Sequence, residues 1–139
     1  MLVIGVGNDL RRDDGVGRVV ASTIEEMALP GVRVMTRSQL VPELVEEIAG
    51  SDRVVVVDAS IDSVSLTARL AEAGTDPAMT HHGSPEALVS LARTIGQAVP
   101  DVYVVGVPAA DLGLGEGLTP PTAALVSEAV ETVLALLGR

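Results

Sequence analysis

The residues that could do chemistry are few. Asp13 and Asp14 stand together in Asp13-Asp14-Gly15-Val16-Gly17, Asp58 closes the apolar run Val54-Val55-Val56-Val57, and Thr80-His81-His82 holds both histidines of the chain. Paired acids at a helix start often do no more than offset the helix dipole. Adjacent loop histidines are often simply solvated. An acid at the end of a buried strand is different, because hiding its charge is costly and it usually faces a site. One imidazole with two carboxylates is a three-ligand set suited to Zn²⁺, Ni²⁺, Fe²⁺ or Mn²⁺, with positions left for a substrate. The same groups would also serve acid–base chemistry.

A glycine turn, Gly5-Val6-Gly7-Asn8-Asp9-Leu10, follows the first apolar run directly. Glycines there let a ligand approach the backbone. As a dinucleotide fingerprint the turn is incomplete: Leu10 replaces the third glycine, and Met35-Thr36-Arg37 lacks the acid that would hold a ribose. A phospho-acceptor receiver is disfavoured too. Its acids would sit at the end of the first strand, and its late-strand lysine is missing from a chain whose nine basic residues are all arginine. The glycine-dense stretch from Gly106 to Pro120 reads as a surface loop or as a wall over the cleft.

These residues need a scaffold. Short β-branched runs at Leu2–Val6, Val32–Met35, Val54–Val57 and Val102–Val107 predict parallel strands buried on both faces, and Ser65–Leu70 an extra strand. Helical spacing links Val16, Val19, Val20, Ile24 and Met27, and again Leu44, Val45, Ile48 and Ala49 before Gly50. Ser84-Pro85-Glu86 predicts a capped helix through Leu88, Leu91, Ala92 and Ile95. Thr119-Pro120-Pro121 predicts one last helix running to Leu137. Strand–helix alternation means α/β: a three-layer α/β/α sandwich on a mostly parallel sheet, with 1–139 as a single domain. Ligands of such sheets bind beyond the carboxyl ends of the strands, where Asp14, Asp58 and the loop before Ser84 would meet.

Composition narrows the partners. Nineteen acids against nine bases give a net charge of -10, which argues against nucleic acid and against an anionic membrane surface. There is no cysteine, hence no disulfide framework and no thiolate site. The amino terminus lacks a basic leader segment, no run approaches a membrane span, and a cytoplasmic location is expected. The core must be aliphatic, since Tyr103 is the sole aromatic residue.

Taken together, the motifs resemble the hydrogenase maturation endopeptidase family. The resemblance rests on Gly5-Val6-Gly7-Asn8, Asp13-Asp14-Gly15-Val16-Gly17, Val57-Asp58-Ala59, a histidine before the next-to-last helix, and Gly117-Leu118-Thr119-Pro120, in that order along essentially the whole chain. It implies a peptidase that removes a carboxy-terminal extension from the large-subunit precursor of a nickel–iron hydrogenase after nickel insertion. It implies metal contacts at Asp14, Asp58 and one of His81 or His82. The nickel would be the substrate's own, and no permanently bound metal is expected. Counting back from the Ser84 cap in the family pattern favours His81; His82 would help bind the extension. Gly5, Gly7, Asn8 and Gln39 would line the substrate cleft, with Gly7 as a floor that any side chain would narrow. Thr36-Arg37-Ser38-Gln39-Leu40 departs from the D-G-G-T-like stretch of many members and points to a divergent subgroup. A monomer is expected. The competing reading is a non-catalytic metal- or nucleotide-binding α/β module.

Overall fold

The computed structural model describes residues 1–73 and 83–139. Five strands form one sheet: β1 (Leu2–Val6), β2 (Arg33–Arg37), β3 (Arg53–Ser60), β4 (Thr67–Leu70) and β5 (Asp101–Pro108), in the order β2-β1-β3-β5-β4. All neighbours pair in parallel except β4, which runs antiparallel to β5 along one edge. The expected mostly parallel sheet is present.

Residue alternation along the strands builds a core on each face. In β3, Val54 and Val56 join Leu2, Ile4, Ile48 and Leu88 on one side. Val55 and Val57 join Val3, Val20, Ile24 and Val133 on the other. A period of two with both sides apolar is what a central strand between helix layers requires. Full burial of each such side chain contributes roughly 1.5–3 kcal/mol, which lets an aliphatic chain do without aromatic bulk. One layer holds α1 (Val16–Glu26) and α5 (Val126–Leu136); the other holds α2 (Val45–Ala49) and α3 (Pro85–Thr94).

The helix α1 lies unusually close to the sheet. A Cβ on Gly17 would stand 2.3 Å from the Val57 carbonyl oxygen and 2.6 Å from that of Val6. A Cβ on Gly5 would stand 2.4 Å from the Gly17 carbonyl oxygen. Close helix–strand packing is the task of the third glycine in a dinucleotide fingerprint. Here Gly17 performs it, seven positions beyond Leu10.

Three expectations are corrected. Strand β2 lies at the sheet edge and is only half-buried rather than fully covered: Val34 packs against one core and Met35 against the other, but both stay partly exposed. Strand β3 continues to Ser60, so Asp58 sits within the ladder opposite Gly106. The last helix is two pieces, α4 (Pro120–Ala123) and α5, because the Leu125 N–H bonds to the Thr122 carbonyl in a tight three-residue turn before the regular ladder resumes. Among the described residues, no helix is long and apolar enough to cross a membrane.

Candidate active site

The turn after β1 is built to present Asp14. Gly7 has φ of +145°, its N–H bonds to the Arg37 carbonyl at 3.0 Å, and its own carbonyl accepts from Arg18 Nε at 2.6 Å. Asn8 then caps the turn: its side-chain oxygen accepts the Leu10 N–H at 2.9 Å. The chain folds back through a short 3₁₀ turn, Arg12–Gly15, and the Asn8 N–H reaches an Asp14 carboxylate oxygen at 2.9 Å.

Asp58 comes from the next strand over. Its Oδ1 accepts the N–H of Ala59 at 2.8 Å. Asp14 and Asp58 both line a cavity of about 340 Å³, with Gly7 on the floor, Ser38, Gln39 and Leu40 on one wall and Gly83, Ser84 and Pro85 beside them. Burial pushes the Asp58 carboxyl up to about 6; the Ala59 N–H opposes this, and the negative charge of Asp14 adds to the rise. Two carboxylates on one rim repel each other, and a cation between them would remove the repulsion. Among the described residues no cluster of three metal-ligating side chains occurs.

A pH dependence follows for the metal-free protein. Asp58 is raised above its ordinary value of 3.8. Its favourable contribution is therefore full below pH 3.8 and is lost as pH rises through about 6. At pH 8, Asp58→Asn is expected to be more stable than the parent, by an amount on the order of 2 kcal/mol. Thermal melting between pH 5 and 8 checks this; a variant that melts lower than the parent at pH 8 contradicts it.

Asp13 has a task that the sequence did not disclose. It is fully buried, and its two oxygens accept the N–H groups of Ala110 at 2.8 Å, Asp111 at 3.0 Å and Thr119 at 2.7 Å, plus the Thr119 hydroxyl at 2.8 Å. Desolvation would raise this carboxyl, but the bonds from Thr119, Ala110 and Asp111 outweigh it and hold the pKa near 2. Asp13 thereby clamps the glycine-dense loop onto the segment that carries Asp14. Thr119 stands at the start of the last helical segment, but its hydroxyl serves Asp13 and its side chain makes no capping bond. Arg18 is a second missed residue. From α1 it holds the Gly7 carbonyl and reaches the hydroxyls of Thr36 at 3.4 Å and Ser38 at 3.3 Å, tying the floor of the cleft to one wall.

The other expected site residues fall as follows. Gln39 lines the cavity. Asn8 is exposed and acts through the bonds that shape the turn. Gly5 is buried beneath α1 and does not reach the cleft. Gly7 reaches the cleft, but a Cβ there would not narrow it: it would strike the Asp14 carbonyl oxygen at 1.8 Å. His81 and His82 lie outside the described residues. The Ser84 cap is present, its hydroxyl accepting the Ala87 N–H at 3.1 Å.

The Gly7 geometry makes its own prediction. Gly7→Ala places strain of at least about 1–3 kcal/mol where the two backbones meet, and relief comes by displacing Asp14. Circular dichroism should show the helices retained, with a melting temperature at least about 3 °C below the parent's. An unchanged melting temperature contradicts it.

The geometry can be set beside known proteins. No protein-family model matches the sequence. The chain is 31% identical to the hydrogenase 2 maturation protease of Escherichia coli strain K12 over 147 aligned positions, covering 99% of this chain and 90% of that protein. Among solved structures it is similar to the hydrogenase maturating endopeptidase HybD from E. coli, with a TM-score of 0.80, 25% identity, and 99% and 91% of the two chains covered. It is also similar to a hydrogenase 2 maturation peptidase from a Thaumarchaeota archaeon, with a TM-score of 0.73, 28% identity, and 99% and 97% covered. A relative that matches nearly end to end, together with the same α/β architecture, means that the chain belongs to the hydrogenase maturation endopeptidase family.

Proposed function

We propose that this protein, acting as one domain over residues 1–139, cuts a carboxy-terminal extension from the large-subunit precursor of a nickel–iron hydrogenase, and that nickel already bound to the precursor is what its cleft engages. The observation that carries this reading is that Asp14, from the turn that follows β1, and Asp58, near the end of β3, line one cavity. Asp14, Asp58 and His81 would contact the nickel. The charge of the substrate's cation offsets the repulsion between the two carboxylates and draws Asp58 into its ionised form. Water or the scissile carbonyl polarised beside that cation lowers the barrier by charge stabilisation.

Two carboxylates and one imidazole make an open, modest site, which suits a metal that arrives and leaves with its substrate. No resident metal is required. A monomer in the cytoplasm, with no nucleic-acid or membrane partner, accords with the strong acidic balance.

Calorimetric titration with Cd²⁺ or Ni²⁺ tests the ligand set. The parent should bind one ion weakly, and Asp14→Ala, Asp58→Ala and His81→Ala should each abolish the signal. His82→Ala should keep it. Binding that survives in both aspartate variants contradicts the proposal; loss in His82→Ala with retention in His81→Ala moves the assignment by one residue.

A further inference from the structure

A second cavity, about 410 Å³, opens beside the cleft between the Leu40–Pro42 segment and α3. Its wall is almost wholly apolar: Leu40, Pro42, Ala87, Leu88 and Leu91, with the Gly83 backbone completing it. Leu40 and Gly83 also line the cleft that holds Asp14 and Asp58, so the two hollows are adjacent and share a wall. Leu40 and Leu88 are 6% and 4% exposed and belong to the core under the sheet, which makes the floor rigid. Pro42 is exposed at the mouth. Beyond Pro42 and Leu91 the groove continues past the acids Glu43 and Glu46, which would repel an acidic segment.

The carboxylates, amide and hydroxyls of the cleft recognise polar groups that every polypeptide backbone carries, so they select poorly among sequences. An extended peptide crossing it turns alternate side chains toward one wall. A preformed apolar hole in that wall favours a side chain that would otherwise face water.

We propose that the Leu40–Pro42–Ala87–Leu91 pocket is a specificity subsite for an apolar side chain of the precursor, within a few residues of the bond that is cut. This rests on the peptidase reading above. Among the described residues its lining carries no group able to move a proton, and the role assigned to the subsite is recognition.

The experiment is cleavage of the nickel-loaded hydrogenase large-subunit precursor by the parent and by Ala87→Met, which fills the pocket from a helix position that methionine suits. Ala87→Met is expected to lower kcat/KM by roughly tenfold to a hundredfold, the range for steric discrimination in apolar pockets. Cd²⁺ affinity and melting temperature should be unchanged. Precursors with each apolar residue near the cut shortened to alanine should include one that the parent cuts poorly and that restores cleavage by Ala87→Met. If Ala87→Met melts early, Leu91→Gln supplies the same test by making the wall polar. Unchanged kcat/KM in a folded pocket variant overturns the subsite. Absence of cleavage by the parent overturns the peptidase reading itself, and the subsite with it.

Discussion

Asp14→Ala and Asp58→Ala are each expected to lose precursor cleavage by about a thousandfold or more. Charge stabilisation at the reacting centre amounts to several kcal/mol, and each 1.36 kcal/mol is a factor of ten in rate. Neither loss should come from unfolding. Asp14 is half-buried, and the Asn8 N–H that it accepts lies at an exposed turn where water can replace it. Asp58 is strained toward its protonated form in the metal-free protein, so its removal relieves a cost. Activity and stability therefore move in opposite directions at Asp58. A structural acid would lose both together, and melting curves beside a cleavage assay separate the two cases.

The largest stability effect belongs to Asp13. Asp13→Ala removes a fully buried carboxylate and leaves three backbone N–H groups and one hydroxyl, all part-buried, without their acceptor. Hydrogen bonds to a charged group contribute about 1.5–3 kcal/mol each, so losing this set lowers the melting temperature of a chain of this size by about 10 °C or more. Asp13→Asn should be nearly as damaging, because its amide turns a donor toward donors. The pH sign is opposite to that of Asp58. The Asp13 pKa is depressed from 3.8 to about 2, so its contribution is full above pH 3.8 and is lost as pH falls through about 2. Acid titration of the parent should show a loss of stability between those values that Asp13→Asn lacks. A variant as stable as the parent at pH 7 would mean that the clamp on the glycine-dense loop is dispensable.

What the sequence disclosed follows from distance along the chain. The strands were legible because each is a dense β-branched run, and Asp58 was legible because a charge directly after four valines has few structural uses. Asp14 was legible through its neighbours Gly15 and Gly17. The clamp was not: Asp13 and Thr119 are separated by 106 positions, and nothing local distinguishes Asp13 from a dipole-compensating acid. The one available signal was Thr119 itself, a hydroxyl before Pro120-Pro121 that reads equally well as a cap. Gly7 was identified as a site residue for the wrong physical reason, since the direction of its missing Cβ depends on how the chain returns through Arg12–Gly15. Arg18 was missed because its three acceptors, Gly7 after β1, Thr36 near the end of β2 and Ser38 just beyond it, lie 11 to 20 positions away along the chain. The split between α4 and α5 was missed because apolar spacing continues smoothly through Leu125 and Val126 while the hydrogen bonding does not.

Nickel carried by a hydrogenase precursor is the proposed signal that the cleft of Asp14 and Asp58 recognises before that precursor is cut. The most direct measurement is intact-mass spectrometry of the large-subunit precursor after incubation with the purified protein, in parallel nickel-loaded and nickel-free arms. A single mass loss corresponding to the carboxy-terminal extension is expected in the nickel-loaded arm, and an unchanged precursor in the other. An unchanged mass in both arms, or equal cleavage with and without nickel, would contradict it.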